Sequence, residues 1–170
     1  MTFPGMRLIH KDQKGITLIE MLVAVALVGI ITGGITMAIS QVLTISTRAS
    51  NHMVAVRQVQ QAGKEVSKDT LEAQNVALGE TSGFPLTLTW TDWDGPDNVV
   101  VYSITEDNKL QRSHSVSNNG TSTETSVIAR YIDPAETSFV PSDGAFIFKV
   151  TATVGGQSET REYELKPRPG

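Results

Sequence analysis

A chain of 170 residues, 39% hydrophobic and 19% charged, has the make-up of an ordinary folded domain with room for one extension. It contains no cysteine, which excludes disulfide staples, thiolate nucleophiles and thiolate metal sites. Its net charge of −4 argues against a nucleic-acid surface, whose footprint is basic.

The charge is unevenly spread. Ahead of Ile16 stand Arg7, Lys11 and Lys14 against Asp12, a balance of +2, so the remainder carries −6 of the total of −4. Residues 16–39 then form an apolar run in which Glu20 is the only charged side chain and Thr17, Thr32 and Thr36 are the threonines. As a helix, at about 1.5 Å per residue, such a run is long enough to cross a hydrocarbon core of about 30 Å. A basic flank beside an apolar span marks the cytoplasmic side, which puts the acidic remainder on the far side. A secretory signal peptide has a shorter apolar core followed by a small-residue cut site. Here the small residue, Gly15, precedes the run. An acid within a span costs about 2.5–3.5 kcal/mol on insertion scales and so marks a functional position. A Glu near the helix start that reaches the head-group layer is the alternative. Gly29 and Gly33, in "GIITG", have the spacing that lets membrane helices approach closely.

The string Lys14-Gly15-Ile16-Thr17-Leu18-Ile19-Glu20, with its basic flank and following apolar helix, resembles the prepilin signature of type IV pilins and pseudopilins. Two features depart from the common pattern: Ile16 stands where Phe is most frequent, and no Pro follows in 33–37, where Gly33 and Gly34 supply local softness instead. The resemblance implies that prepilin peptidase cuts between Gly15 and Ile16 on the cytoplasmic face and that the new amine of Ile16 is methylated. It implies that Glu20 then meets the amine of a neighbouring subunit. The implied partners are the peptidase, other pilin or pseudopilin subunits, an inner-membrane assembly platform and, before assembly, the lipid bilayer.

From residue 40 to about 75 no Pro appears, and Val42, Ile45, Ala49, Val56, Val59, Gly63 and Val66 fall on one helical stripe. Arg48, Arg57, Lys64 and Lys68 lie away from it. The helix is expected to continue from the span and dock this stripe on a domain, with Asn75 and Gly79 as stop signals. Strand signals follow at 86–90, 99–104, 109–116, 126–132, 145–154 and 158–166, with turns at Glu106-Asp107-Asn108 and Gly155-Gly156. The fold class read from this order is α+β: a long N-terminal helix, membrane-spanning in its first half, packed on an antiparallel sheet. The expected division is 1–15 leader, 16–39 span, 40–78 amphipathic helix and 79–170 head. The head passage "VVYSITEDNKLQR", a Tyr-containing strand followed by a Leu-x-Arg strand, resembles J-type minor pseudopilins.

Candidate sites in the head are few. Asp92, Asp94 and Asp97 in "TDWDGPDN" could offer oxygens to calcium, although the spacing is not an EF-hand and an Asx-rich turn accounts for the same residues. Trp90 is expected in the core and Trp93 at the surface. The run 113–126, "SHSVSNNGTSTETS", reads as a polar loop, with a sequon at Asn119. His10, His52 and His114 are far apart, His52 is expected to be packed or interfacial, and no catalytic or phosphate-binding constellation is evident. The sequence therefore reads as a minor pilin or pseudopilin, a structural subunit with no cofactor rather than an enzyme; a major fibre subunit and a single-pass anchored binding domain that does not polymerise are the alternatives.

Overall fold

A computed structural model describes residues 15–93, 95–117 and 120–168. Its elements are α1 (Leu18–Glu72), β1 (Asn75–Gly79), β2 (Gly83–Thr91), β3 (Asp97–Ile104), β4 (Lys109–Ser117), β5 (Thr121–Arg130), β6 (Ser138–Ser142), β7 (Ala145–Val154) and β8 (Gln157–Leu165). By internal contacts the chain divides into two units between Ile45 and Ser46. The first unit is helical from Leu18 on, and its side chains are exposed throughout residues 15–45.

The second unit, the head, is the last part of α1 packed on two antiparallel sheets. One sheet is a meander in the order β1-β2-β3-β4-β5, and the other has the order β6-β7-β8. One long helix on an antiparallel β domain is the pilin fold. The helix buries Ala55, Val59, Ala62, Gly63, Val66, Asp69 and Thr70. Val59, Gly63 and Val66 are on the stripe read from the sequence. Val42, Ile45 and Ala49, also expected to pack, are exposed, as is His52, while Arg57, Lys64 and Lys68 face solvent as expected. Gly63 has a steric reason: a Cβ there would overlap the Tyr163 ring of β8. The core is completed by Leu86, Leu88, Val100, Tyr102, Leu110, Phe139 and Phe148, all fully buried.

The helix ends sooner than the spacing suggests. Glu72 is its last residue, and the backbone N–H of Gln74 already donates to Thr89 O at 2.9 Å, so Asn75–Gly79 become an edge strand. The strand β6 was also not expected. It contains Pro141, which is tolerated because β6 is the edge strand of its sheet, although Phe139 N–H donates beyond the sheet to Ser82 O at 2.8 Å. The run 113–126 is not a loop but the arms of the β4–β5 hairpin, paired from Ser113↔Thr125 to Ser117↔Thr121. Its hydroxyls bond across the strands, Ser115 to Thr123 at 2.9 Å and Ser113 to Thr125 at 3.3 Å. Asn119 lies outside the described residues. The fourth expected strand stops at Arg130 because Tyr131 turns to φ 60°, although Ile132 still bridges to Ala152. Both expected turns are present: Asn108 has φ 57°, and Gly155 and Gly156 have φ 53° and 76°, the pair of positive values a tight hairpin turn requires.

Candidate functional site

Two polar features are set in apolar surroundings, one at each end of α1. The first is the helix start. The backbone N–H groups of Glu20 and Met21 donate to Thr17 O at 3.0 and 3.2 Å, and Glu20 N–H also reaches Thr17 Oγ1 at 3.3 Å. Thr17 is therefore the N-cap and Glu20 the third helical residue, the Thr-x-x-Glu order of a capping box. Ile16 lies just outside the helix, 71% exposed, and Gly15 precedes it.

Beyond this cap the helix is long and apolar enough to cross a membrane, with none of the span's side chains buried within the protein. Its hydroxyls are internally satisfied. Thr32 donates to Val28 O at 2.8 Å, Thr36 to Thr32 O at 2.9 Å, Ser40 to Thr36 O at 3.0 Å and Thr44 to Ser40 O at 2.9 Å. A hydroxyl returned to its own helix costs little in lipid. Among the described residues the carboxylate of Glu20 has no such partner. Among the described residues a Cβ at Gly15, Gly29 or Gly33 would meet nothing, so no contact there requires these glycines.

The sequence over residues 10–36 matches the prokaryotic N-terminal methylation motif. The chain carries a type IV pilin-like prepilin signal. No curated protein and no solved structure matches the chain. A prepilin signal implies processing by prepilin peptidase and assembly with other pilins. Joined to the exposed apolar helix, it marks a membrane-anchored, pilin-like structural subunit.

The second feature is a buried carboxylate. Asp69, on the last turns of α1 and 1% exposed, accepts from Tyr102 Oη at 2.6 Å and from Arg112 Nε and Nη2 at 2.6 and 3.1 Å. Tyr102 and Arg112 are directly paired across β3 and β4. The Tyr strand and the Leu-x-Arg strand thus meet on one helix carboxylate. Sequence pattern missed Asp69 because a charged residue on an apolar stripe is read as the stripe's edge. Its signal was the Tyr and Arg arriving on consecutive strands. The hydrogen bond from Arg112 to Asp69 raises the guanidinium's pKa further, against the opposing effect of burial.

Burial first, and the Asp69 charge second, hold the Tyr102 hydroxyl well above the ordinary phenol range. In the unfolded chain it ionises near its usual value of about 10. Below that pH both states keep the proton. Above it only the unfolded chain loses it, so stability falls as pH rises. The fall in urea midpoint above about pH 10 will be shallower in Tyr102→Phe than in the parent. Identical slopes would mean that Tyr102 is not held protonated by the fold.

Of the calcium candidates, Asp94 lies outside the described residues. Asp92 Oδ2 accepts from Asn98 Nδ2 at 3.2 Å, and Asp97 Oδ1 accepts from Thr91 Oγ1 at 2.7 Å. Among the described residues no group of three His, Cys, Asp or Glu side chains converges as a metal would need. Trp90 is 8% exposed and stacked on His114, with ring centroids 5.8 Å apart, whereas Trp93 is 99% exposed.

Proposed function

We propose that the chain is a minor type IV pilin or pseudopilin, cut between Gly15 and Ile16, methylated on Ile16 and built into a filament through α1. The single observation behind this reading is the pairing of the motif with a helix whose apolar first half is exposed among the described residues and carries one acid in its first turn. Cutting after Gly15 leaves Ile16 and the Thr17 cap, so the helix start survives processing. The new amine then sits four residues from Glu20, within one turn and on the same chain. Its preferred ionic partner is the Glu20 of a neighbour displaced along the filament, because in lipid each ion is costly alone and strongly attracted when paired.

In this reading Lys11 and Lys14 hold the leader in the cytoplasm, and the acidic head lies outside. The head contacts sister subunits and primes assembly or caps the tip. Energy comes from the assembly platform. The minor-subunit reading leans on the Tyr strand and Leu-x-Arg strand of the head. Mass spectrometry of the protein from membranes will show an N-terminus at Ile16 carrying one added methyl. An intact leader would make the protein a plain single-pass anchor.

A further inference from the structure

We propose that the outer face of the five-stranded sheet binds an uncharged polysaccharide, through a cavity at its upper corner. The inference is independent of processing and assembly. The side of β2–β5 turned away from the core repeats in register. Three neighbouring rows are Thr87–Val101–Ser113–Thr125, Thr89–Val99–Ser115–Thr123 and Thr91–Asp97–Ser117–Thr121; beyond them the face runs through Ser103–Gln111–Val127 to the basic pair Lys109 and Arg130. Three rows of four positions thus hold one ionisable side chain, Asp97. Exposed protein surface is usually about a quarter to a third charged. The outer face of the other sheet follows that rule, with Lys149 opposite Glu162 and Glu164 opposite Ile147. The two sheets belong to one head, so the neutral patch is a property of these rows, at the end of the sheet away from Lys109 and Arg130, and not of the whole surface.

At the end of these rows lies a cavity of about 260 Å³ lined by Gln74, Asn75, Thr89, Thr91, Asp97 and Val99. Amides, hydroxyls and a carboxylate around a small space offer the mixed donors and acceptors that vicinal sugar hydroxyls require. The carboxylate is fixed for this use: Asp97 Oδ1 takes the Thr91 hydroxyl at 2.7 Å, and no described donor reaches the other oxygen. Gln74 is fixed likewise, its Oε1 accepting the Thr91 backbone N–H at 3.3 Å. Two residues past Thr91, in the β2–β3 connection, stands Trp93, 99% exposed. An indole in water is an apolar plate, suited to the C–H face of a sugar ring.

Size and composition argue against a protein occupant. With strands about 4.8 Å apart and alternate residues about 6.7 Å apart, the three rows cover roughly 400 Å² of the face. A standard protein interface needs about 800 Å² per partner. Ser, Thr and Val are also poor anchors in such interfaces. A neutral glycan needs neither large anchors nor opposite charge, and rows of hydroxyl and methyl groups extend the site for successive sugar units.

The test uses the full chain in a zwitterionic detergent without a sugar head group, titrated by calorimetry. The probes are maltohexaose, cellohexaose and chitohexaose, with an oligogalacturonate as the acidic control. At least one neutral hexasaccharide will bind, the acidic one at least tenfold more weakly. Thr89→Lys and Trp93→Ala will each weaken binding at least tenfold. Trp93 is a fully exposed loop residue, so its replacement stands even where the strand substitution perturbs folding. The proposal is overturned if no neutral probe binds at millimolar concentration, if the acidic probe binds as well, or if Trp93→Ala binds like the parent. Self-association lost in Thr89→Lys, with no glycan binding, would assign the face to a second copy instead.

Discussion

Asp69→Ala will remove about 3–5 kcal/mol of stability from the head. The substitution strips both donors of their acceptor at once. Tyr102 is fully buried and keeps a hydroxyl with nowhere to donate, and the Arg112 guanidinium keeps its charge beside it. The lower end of the range applies, because the Arg112 side chain retains 18% exposure and can be partly hydrated. Even about 3 kcal/mol is a large fraction of the roughly 5–15 kcal/mol that holds a domain folded. Asp69→Asn will cost less, since its amide oxygen still accepts one bond. The double substitution Asp69→Leu with Arg112→Leu will cost less than Asp69→Ala alone, because the expense lies in stranding one partner and not in lacking the pair. Urea unfolding followed by the fluorescence of buried Trp90 measures all three. A loss of less than about 0.5 kcal/mol in Asp69→Ala, the range of an ordinary surface change, would show that the network does not fasten the helix to the sheet.

How far the fold could be read beforehand depends on which signal each segment carries. The span and the docked helix were legible because apolar content and a 3.6-residue stripe are strong, local signals. Strands with apolar or β-branched alternation, such as 99–104 and 145–154, were legible for the same reason. The segments that escaped lack that signal. In 113–126 the hydroxyls face each other across two strands and the inward side is His114, Val116 and Glu124, so no apolar period marks the hairpin. The strand β6 is masked by Pro141, and β1 by its short length directly after a helix. The N-terminal motif was legible because its pattern is held in a contiguous string. The Asp69 network was not, since its members stand 33 and 43 residues apart and only the register of β3 on β4 brings them together. The neutral outer patch is of the same kind: "TLTWT" and "TSTET" look like filler until pairing sets them in rows.

Glu20→Gln will be cleaved and inserted normally yet will fall at least tenfold in filament incorporation. The two substitutions Glu20→Ala and Glu20→Gln separate roles that the geometry of the helix start superimposes. Glu20 occupies the third helical position behind the Thr17 cap, so it can stabilise the helix N-terminus without any partner chain. Gln fills the same capping position but carries no charge. If capping or reach to the head groups were the whole of its role, Gln would serve nearly as well, and removing an acid from the span would even ease insertion by about 2.5–3.5 kcal/mol. The proposed role requires the charge, because the partner is the cationic amine of a processed neighbour. A register energy of only about 1.4 kcal/mol per subunit already changes occupancy tenfold. Immunoblots of sheared filaments, set against mass spectra of the membrane fraction, keep assembly apart from processing. Incorporation of Glu20→Gln at the parental level would leave the acid as a helix cap alone and remove the ionic basis for subunit register.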